Sequence, residues 1–214
     1  MIDTLLKNDL PQAYGLTRPN VQLRYKCLSG QFELGDEKAC ARCETRHRDE
    51  CNLKMMRINA SNYVVTVVEH EDYINQFNGK QLGKGKRCDY LMYDMETHHK
   101  IAFCDLGCYS EQYVQLKQEV AHRQVCDSLK RFLDKPCGKE FIDRFTEKIL
   151  IFGRRDRAIA TAEKTQLSRG NVKGNMQIFL TNPISKSKIL ESKEIIGETN
   201  VTFLIVNYPE SYVW

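Results

Sequence analysis

Hydrophobic and polar positions divide the chain into segments of distinct period. Tyr63-Val-Val-Thr-Val-Val68 is an unbroken β-branched and aromatic run, the composition of a strand. Asn78-Gly79 and the Gly83/Gly85 pair mark a connection after it. Two further runs, Cys88 to Tyr93 and Lys100 to Leu106, flank the polar stretch Asp94 to His99 and read as a hairpin with a longer loop. Alternation assigns Leu91, Tyr93, Ile101 and Phe103 to one face and Tyr90, Met92, Ala102 and Cys104 to the other. Both faces are apolar, as in central strands covered on both sides. Ser110, as N-cap, and Glu111, in the first turn, predict the start of a helix that runs to about Leu133. Val114, Ala121, Val125, Leu129 and Phe132 form its apolar stripe, and Pro136 and Gly138 bar its continuation. A helix over 140–147, a strand at Lys148 to Phe152, a basic turn, a helix over 158–166, a loop over 168–175 and strands at 176–180 and 201–206 complete the pattern. That order is α/β, with a mixed central sheet flanked by helices.

The first sixty residues differ in character. A short helix is expected around Thr4 to Leu10, then a loop through Pro19. Cys27, Cys40, Cys43 and Cys51 follow in a stretch too polar to pack a core of its own. Cys40 and Cys43 form a C-x₂-C step that lets two thiolates reach one metal; Cys51 and Cys27 complete a four-sulfur set, or His47 replaces Cys27. Such a set suits a structural Zn²⁺ ion; an iron–sulfur cluster and free thiols are the alternatives. The expected organisation is therefore an N-terminal segment, 1–60, with a Cys-rich metal element, and an α/β core over 61–214. Arg42, Arg46, His47 and Arg48 beside the cysteines could contact phosphate or simply form a solvated charged face.

Composition narrows the classes. With 42% hydrophobic and 28% charged residues the 214-residue chain is an ordinary globule, neither disordered nor fibrous. No segment approaches the roughly 20 apolar residues of a membrane span, and the start has no basic n-region with a long apolar run, so a cytoplasmic protein is expected. Nine cysteines, an odd number, argue against a complete disulfide framework. The net charge of +4 permits a polyanionic partner without demanding one.

Pairing the hairpin symmetrically, with Tyr93 opposite Ile101, sets Asp89 opposite Asp105, their Cβ atoms about 4.5–5.5 Å apart. Two carboxylates so placed repel unless one is protonated or a cation lies between them, and Mg²⁺ or Mn²⁺ with substrate phosphate would resolve the conflict. The alternative is a pair of strand-end residues in water. Arg87-Cys-Asp89-Tyr-Leu-Met-Tyr-Asp, then Ile101-Ala-Phe-Cys-Asp105-Leu-Gly107, then a long helix, resembles the hairpin-and-helix core of the PD-(D/E)xK nuclease superfamily over roughly residues 86 to 152. The resemblance implies a restriction-endonuclease-like core in which Asp89 and Asp105 bind the metal. It also implies a lysine two residues after Asp105, where this chain has Gly107. Lys117 is the nearest basic residue for a lysine carried on the following helix, and Gln115 a polar candidate from the same helix.

Arg154, Arg155 and Arg157, on a loop after a strand, form a candidate phosphate clamp or a solubilising surface. Cys108 with His122 as base would make a thiol enzyme, but nothing in the sequence brings the two together. His98 and His99, adjacent on extended chain, point apart and read as loop solvation. The expected function is a DNA- or RNA-associated protein with a catalytically impaired nuclease-like core, a type the resemblance associates with bacterial defence or toxin–immunity systems. The alternatives are an active metal-dependent nuclease with a migrated lysine, and a protein-interaction module with a structural zinc site.

Overall fold

The computed structural model describes residues 2–17, 20–35, 54–109, 113–156 and 189–214. An N-terminal helical segment comprises α1 (Ile2–Thr4), a π-helical turn (Leu5–Asp9) and α2 (Leu10–Ala13). Strands β1 (Tyr25–Gly35) and β2 (Lys54–Glu69) precede the short α3 (His70–Asn75). The hairpin β3 (Tyr90–Asp94) and β4 (Lys100–Tyr109) leads to α4 (Val114–Leu133) and α5 (Pro136–Asp143). Then come β5 (Glu147–Asp156), β6 (Leu190–Ile196), β7 (Thr199–Asn207) and β8 (Ser211–Val213). The strands build one mixed eight-stranded sheet in the order β1-β2-β3-β4-β5-β7-β6, with β8 against β2. The protein is α/β.

The centre of the sheet carries the topology that matters for the site. β2, β3 and β4 form an antiparallel meander, and β4 then crosses over through α4 and α5 to β5, which lies parallel to it. β5 is in turn parallel to β7, which is antiparallel to the edge strand β6. Helix α4 ends at Leu133 and Pro136 opens α5: the residue that cannot continue one helix is preorganised for the first turn of the next.

Two cores sandwich the sheet. On the helix side, Leu91, Tyr93, Ile101, Phe103, Leu150 and Phe152 pack on Ala121, Val125, Leu129 and Phe132 of α4, with Phe141 and Ile142 of α5. On the other side no helix is needed among the described residues, because β2 is long enough to bend over the sheet. Its first half brings Met55, Met56 and Ile58 against Met92, Ala102, Cys104, Ile149 and Ile151, with Tyr212 and Trp214 closing the layer. β3 pairs with the second half of β2 at 65–69, and β8 with the first half at 57–59. Gly153 permits the overlap: a Cβ there would stand 2.6 Å from Leu106 Cδ2 and 3.0 Å from Met56 Cβ.

Three features depart from the sequence pattern. β1 was not expected; it places Cys27 on a sheet strand paired with Thr66. Leu5, Leu6 and Leu10 are buried in the helix-side core, and residue 60 lies in the middle of β2, so the first sixty residues share sheet and core with the rest. The last strand is β8 rather than the run at 201–206, and β6 precedes that run. The helix expected over 158–166 and the strand at 176–180 lie outside the described residues, as does Ser110.

Candidate acidic site at the β3–β4 hairpin

Register pairs Tyr90 with Cys104, Leu91 with Phe103, Met92 with Ala102 and Tyr93 with Ile101. One residue further, Asp89 and Asp105 stand at facing positions on the helix side of the sheet. The ladder does not continue there through backbone groups alone: the Leu106 N–H donates to Asp89 Oδ2 at 2.7 Å, so the aspartate side chain takes a strand's donor. Behind it, the Asp89 carbonyl accepts from the N–H groups of His70 and Glu71 (2.8 and 3.2 Å), which ties the start of α3 to the same point. Asp105 is 3% exposed. A carboxylate buried to that degree needs donors, and Gln124 of α4 supplies one at 2.9 Å to its Oδ1.

The approach to Asp89 is irregular chain, and α4 holds it with a ladder of polar side chains. Gln124 Nε2 also donates to the Arg87 carbonyl (2.9 Å). Ser128 Oγ accepts from the Cys88 N–H (2.9 Å) and donates to the Gln124 carbonyl (2.8 Å). Asp127 accepts from the Lys86 N–H, and Arg131 donates to the carbonyls of Lys84 and Lys86 at 2.8 Å each. Ser128 and Arg131 are buried. Segment 84–88 is thus zipped to the helix by side chains, and Asp89 is fixed at its end.

The carboxylate pair leaves an electrostatic imprint on its neighbours. Cys88 and Cys104 are both fully buried, and their thiols are pushed well above the ordinary range, first by burial; charge from Asp105 and Asp89 pushes both in the same direction. His70, packed among Tyr73, Phe103 and Phe132, is driven down to about 3 by burial and then by the Arg131 charge, and is neutral. A divalent ion would relieve the negative field of the pair, so the donor set, two carboxylates on one face, fits a hard cation such as Mg²⁺ or Mn²⁺.

The remaining sequence candidates scatter. Gly107, where the resemblance expects lysine, is buried and pairs with Arg154 of β5. Paired residues of a parallel sheet share a face, so Arg154 lies on the Asp105 side, its Nε donating to Asn207 Oδ1 at 2.6 Å. Arg155 turns to the other side: it is 4% exposed, donates to the Lys54 carbonyl at 2.5 Å and stacks 4.3 Å above the Tyr208 ring. Arg157 lies outside the described residues. Lys117 is half-buried and shares a helix face with Gln124 seven residues on, about 10 Å along the axis; Gln115 is exposed. Cys27 is exposed, its sulfur 3.7 Å from Thr66 Oγ1, while Cys40, Cys43 and Cys51 lie outside the described residues. His122 turns to Glu194 and Cys126, and His98 and His99 take separate partners, Phe145 and Tyr63.

Gln124, Ser128 and Arg131 were missed from sequence. Their signal is present in retrospect: Lys117, Gln124 and Arg131 recur every seven residues, a polar ridge alongside the apolar stripe.

Comparison of the chain with protein-family models, with curated proteins and with solved structures finds no match. Among the described residues no helix is long and apolar enough to cross a membrane.

Proposed function

We propose that the Asp89–Asp105 site binds a divalent metal and, through it, the phosphate backbone of a nucleic acid, in a degenerate PD-(D/E)xK-like core. The observation that carries the reading is the pairing of a buried Asp105 with Asp89 on one face of the hairpin, each held by a protein donor. The element order supports it: an antiparallel three-strand meander, a crossover helix and a fourth strand parallel to the third, with one acid beside each strand of the second hairpin. A bound Mg²⁺ or Mn²⁺ would supply charge neutralisation for a phosphate. Asp89 and Asp105 would hold it, Gln124 keeps Asp105 oriented, and Arg154 adds a positive charge on the same face.

With Gly107 in place of the lysine, the position two residues after Asp105 has no side chain to position an attacking water, and hydrolysis is slowed by orders of magnitude. The favoured function is therefore binding rather than cleavage. Lys117 favours a second reading, an active nuclease with a migrated lysine, because it shares the helix face of Gln124. Incubation of purified protein with single- and double-stranded DNA and RNA in Mn²⁺ or Mg²⁺, beside Asp105→Ala, tests both. Metal-dependent, salt-sensitive binding lost in Asp105→Ala is expected; neither binding nor cleavage by the wild type would overturn both readings.

A further inference from the structure

A second cluster of ligand-type side chains lies away from the hairpin acids, between helix α4 and the edge strand β6. His122 and Cys126 are one turn apart on α4, so they project from the same face. Glu194 of β6 reaches them: its Oε2 is 2.8 Å from His122 Nε2, which is itself 3.6 Å from the Cys126 sulfur. All three donor atoms lie within 4.8 Å of one another. We propose that His122 Nε2, Cys126 Sγ and Glu194 Oε2 form a binding site for a zinc-class transition-metal ion, with solvent as the fourth ligand.

The chemistry of the donor set selects the ion. One imidazole, one thiolate and one carboxylate are borderline-soft ligands that suit Zn²⁺ and its spectroscopic surrogate Co²⁺, and are poor for Mg²⁺ or Ca²⁺. Tetrahedral coordination at the usual Zn–N, Zn–O and Zn–S lengths places donors about 3.3–3.8 Å apart. The His122–Cys126 separation already has that value; to admit the ion the His122–Glu194 pair opens by about half an ångström, and Cys126 and Glu194, within 4.8 Å of each other, close by up to about 1 Å.

The surroundings orient each ligand. The His122 ring meets Phe203 of β7 edge-on, with centroids 4.8 Å apart at 90°, which fixes its plane. Ser192 Oγ donates to Glu194 Oε1 at 3.2 Å, leaving Oε2 turned to the imidazole, the kind of supporting contact that aims a carboxylate ligand. Cys126 is 7% exposed, whereas His122 and Glu194 are about a third exposed, so the sulfur closes the back of the site and solvent has access to the front. An ordinary histidine–glutamate hydrogen bond accounts for one of these contacts; the sulfur and the serine are the additional elements of a coordination site. A bound ion would cross-link the edge strand β6 to helix α4, independently of whether the Asp89–Asp105 site binds nucleic acid.

Titration of metal-free full-length protein with Co²⁺ tests the proposal, because a cobalt–thiolate bond gives a charge-transfer absorption that oxygen and nitrogen ligands do not. A Cys27→Ser/Cys40→Ser/Cys43→Ser/Cys51→Ser variant removes any contribution from the N-terminal cysteines. In that background one equivalent of Co²⁺ is expected to produce the band, Zn²⁺ to bleach it, Cys126→Ser to abolish it, and Ser192→Ala to weaken binding about tenfold. Glu194→Gln, a change at a side chain about a third exposed on an edge strand, guards against misfolding and should weaken binding while the circular dichroism stays unchanged. Absence of the band, or a band that survives both Cys126→Ser and Glu194→Gln, would overturn the site.

Discussion

Gln124 donates through one amide nitrogen to Asp105 Oδ1 and to the Arg87 carbonyl, both at 2.9 Å, so a single helix side chain holds the second acid and the chain leading to the first. Replacing it with leucine of similar size removes one donor from the buried Asp105 carboxylate and one from the half-buried Arg87 carbonyl. A loss of about 1–3 kcal/mol in unfolding free energy is expected. Gln124→Glu instead adds a third carboxylate, and Mn²⁺ should raise the melting temperature of that variant more than that of wild type. Thermal unfolding with and without metal measures both effects.

On the proposed reading, Arg154 serves binding and Lys117 serves chemistry. Arg154→Ala should weaken nucleic-acid binding uniformly across sequences and reduce the dependence of log affinity on log salt by about one. Lys117→Met should leave Mn²⁺ binding unchanged and alter cleavage alone, if wild type cleaves. Filter binding across a salt series and a cleavage assay on the same samples distinguish the two roles.

Gly153 sits where β5 passes beneath β2. An added methyl group would meet Leu106 and Met56, both buried and part of the same layer. Gly153→Ala is expected to cost about 1–3 kcal/mol, the usual magnitude of overpacking. Combining it with Leu106→Ala, which opens space at the nearer contact, should cost less than the sum of the single changes, and denaturant unfolding of the four proteins gives the coupling directly.

The sequence carried the centre of this fold well and its edges poorly, for physical reasons. β3, β4, α4 and β5 are buried on a consistent period, so Leu91, Phe103, Val125 and Ile151 declare their faces. The facing of Asp89 and Asp105 followed from the hairpin register alone. β1 is mostly exposed along its first half and shows little apolar alternation, and β8 is only three residues long; neither has a periodic signal to read. The polar ridge of α4 is visible as a seven-residue recurrence, but most of its partners are backbone groups of 84–88, which no side-chain pattern announces. Glu194 and His122, seventy-two positions apart, meet only because β6 folds back along β7 beside the helix.

Asp94, at the end of β3, is buried and accepts from five donors: the Thr97 hydroxyl, the N–H groups of Thr97, His99 and Lys100 (3.2, 3.2 and 2.8 Å), and Trp214 Nε1 at 3.4 Å. Burial alone would raise its pKa, but the bonds from Thr97, Lys100, His99 and Trp214 outweigh it and hold the carboxyl below its ordinary value. A group depressed in the folded state contributes stability that is present above its unfolded pKa of about 3.9 and is lost as pH falls through the folded value. Wild type should therefore lose stability on acidification below about pH 4 through this residue. Asp94→Asn directs an amide NH₂ at several N–H donors and should be less stable by about 1–3 kcal/mol at pH 7. The gap between the two proteins should narrow as pH falls below about 4, where the unfolded wild-type chain takes up a proton at Asp94 that the folded state binds less readily. Trp214 is the chain's one tryptophan, so its fluorescence in urea reports the unfolding transition from the site itself. A stability difference that stayed constant from pH 7 to pH 3 would show that the Asp94 carboxylate does not carry this dependence.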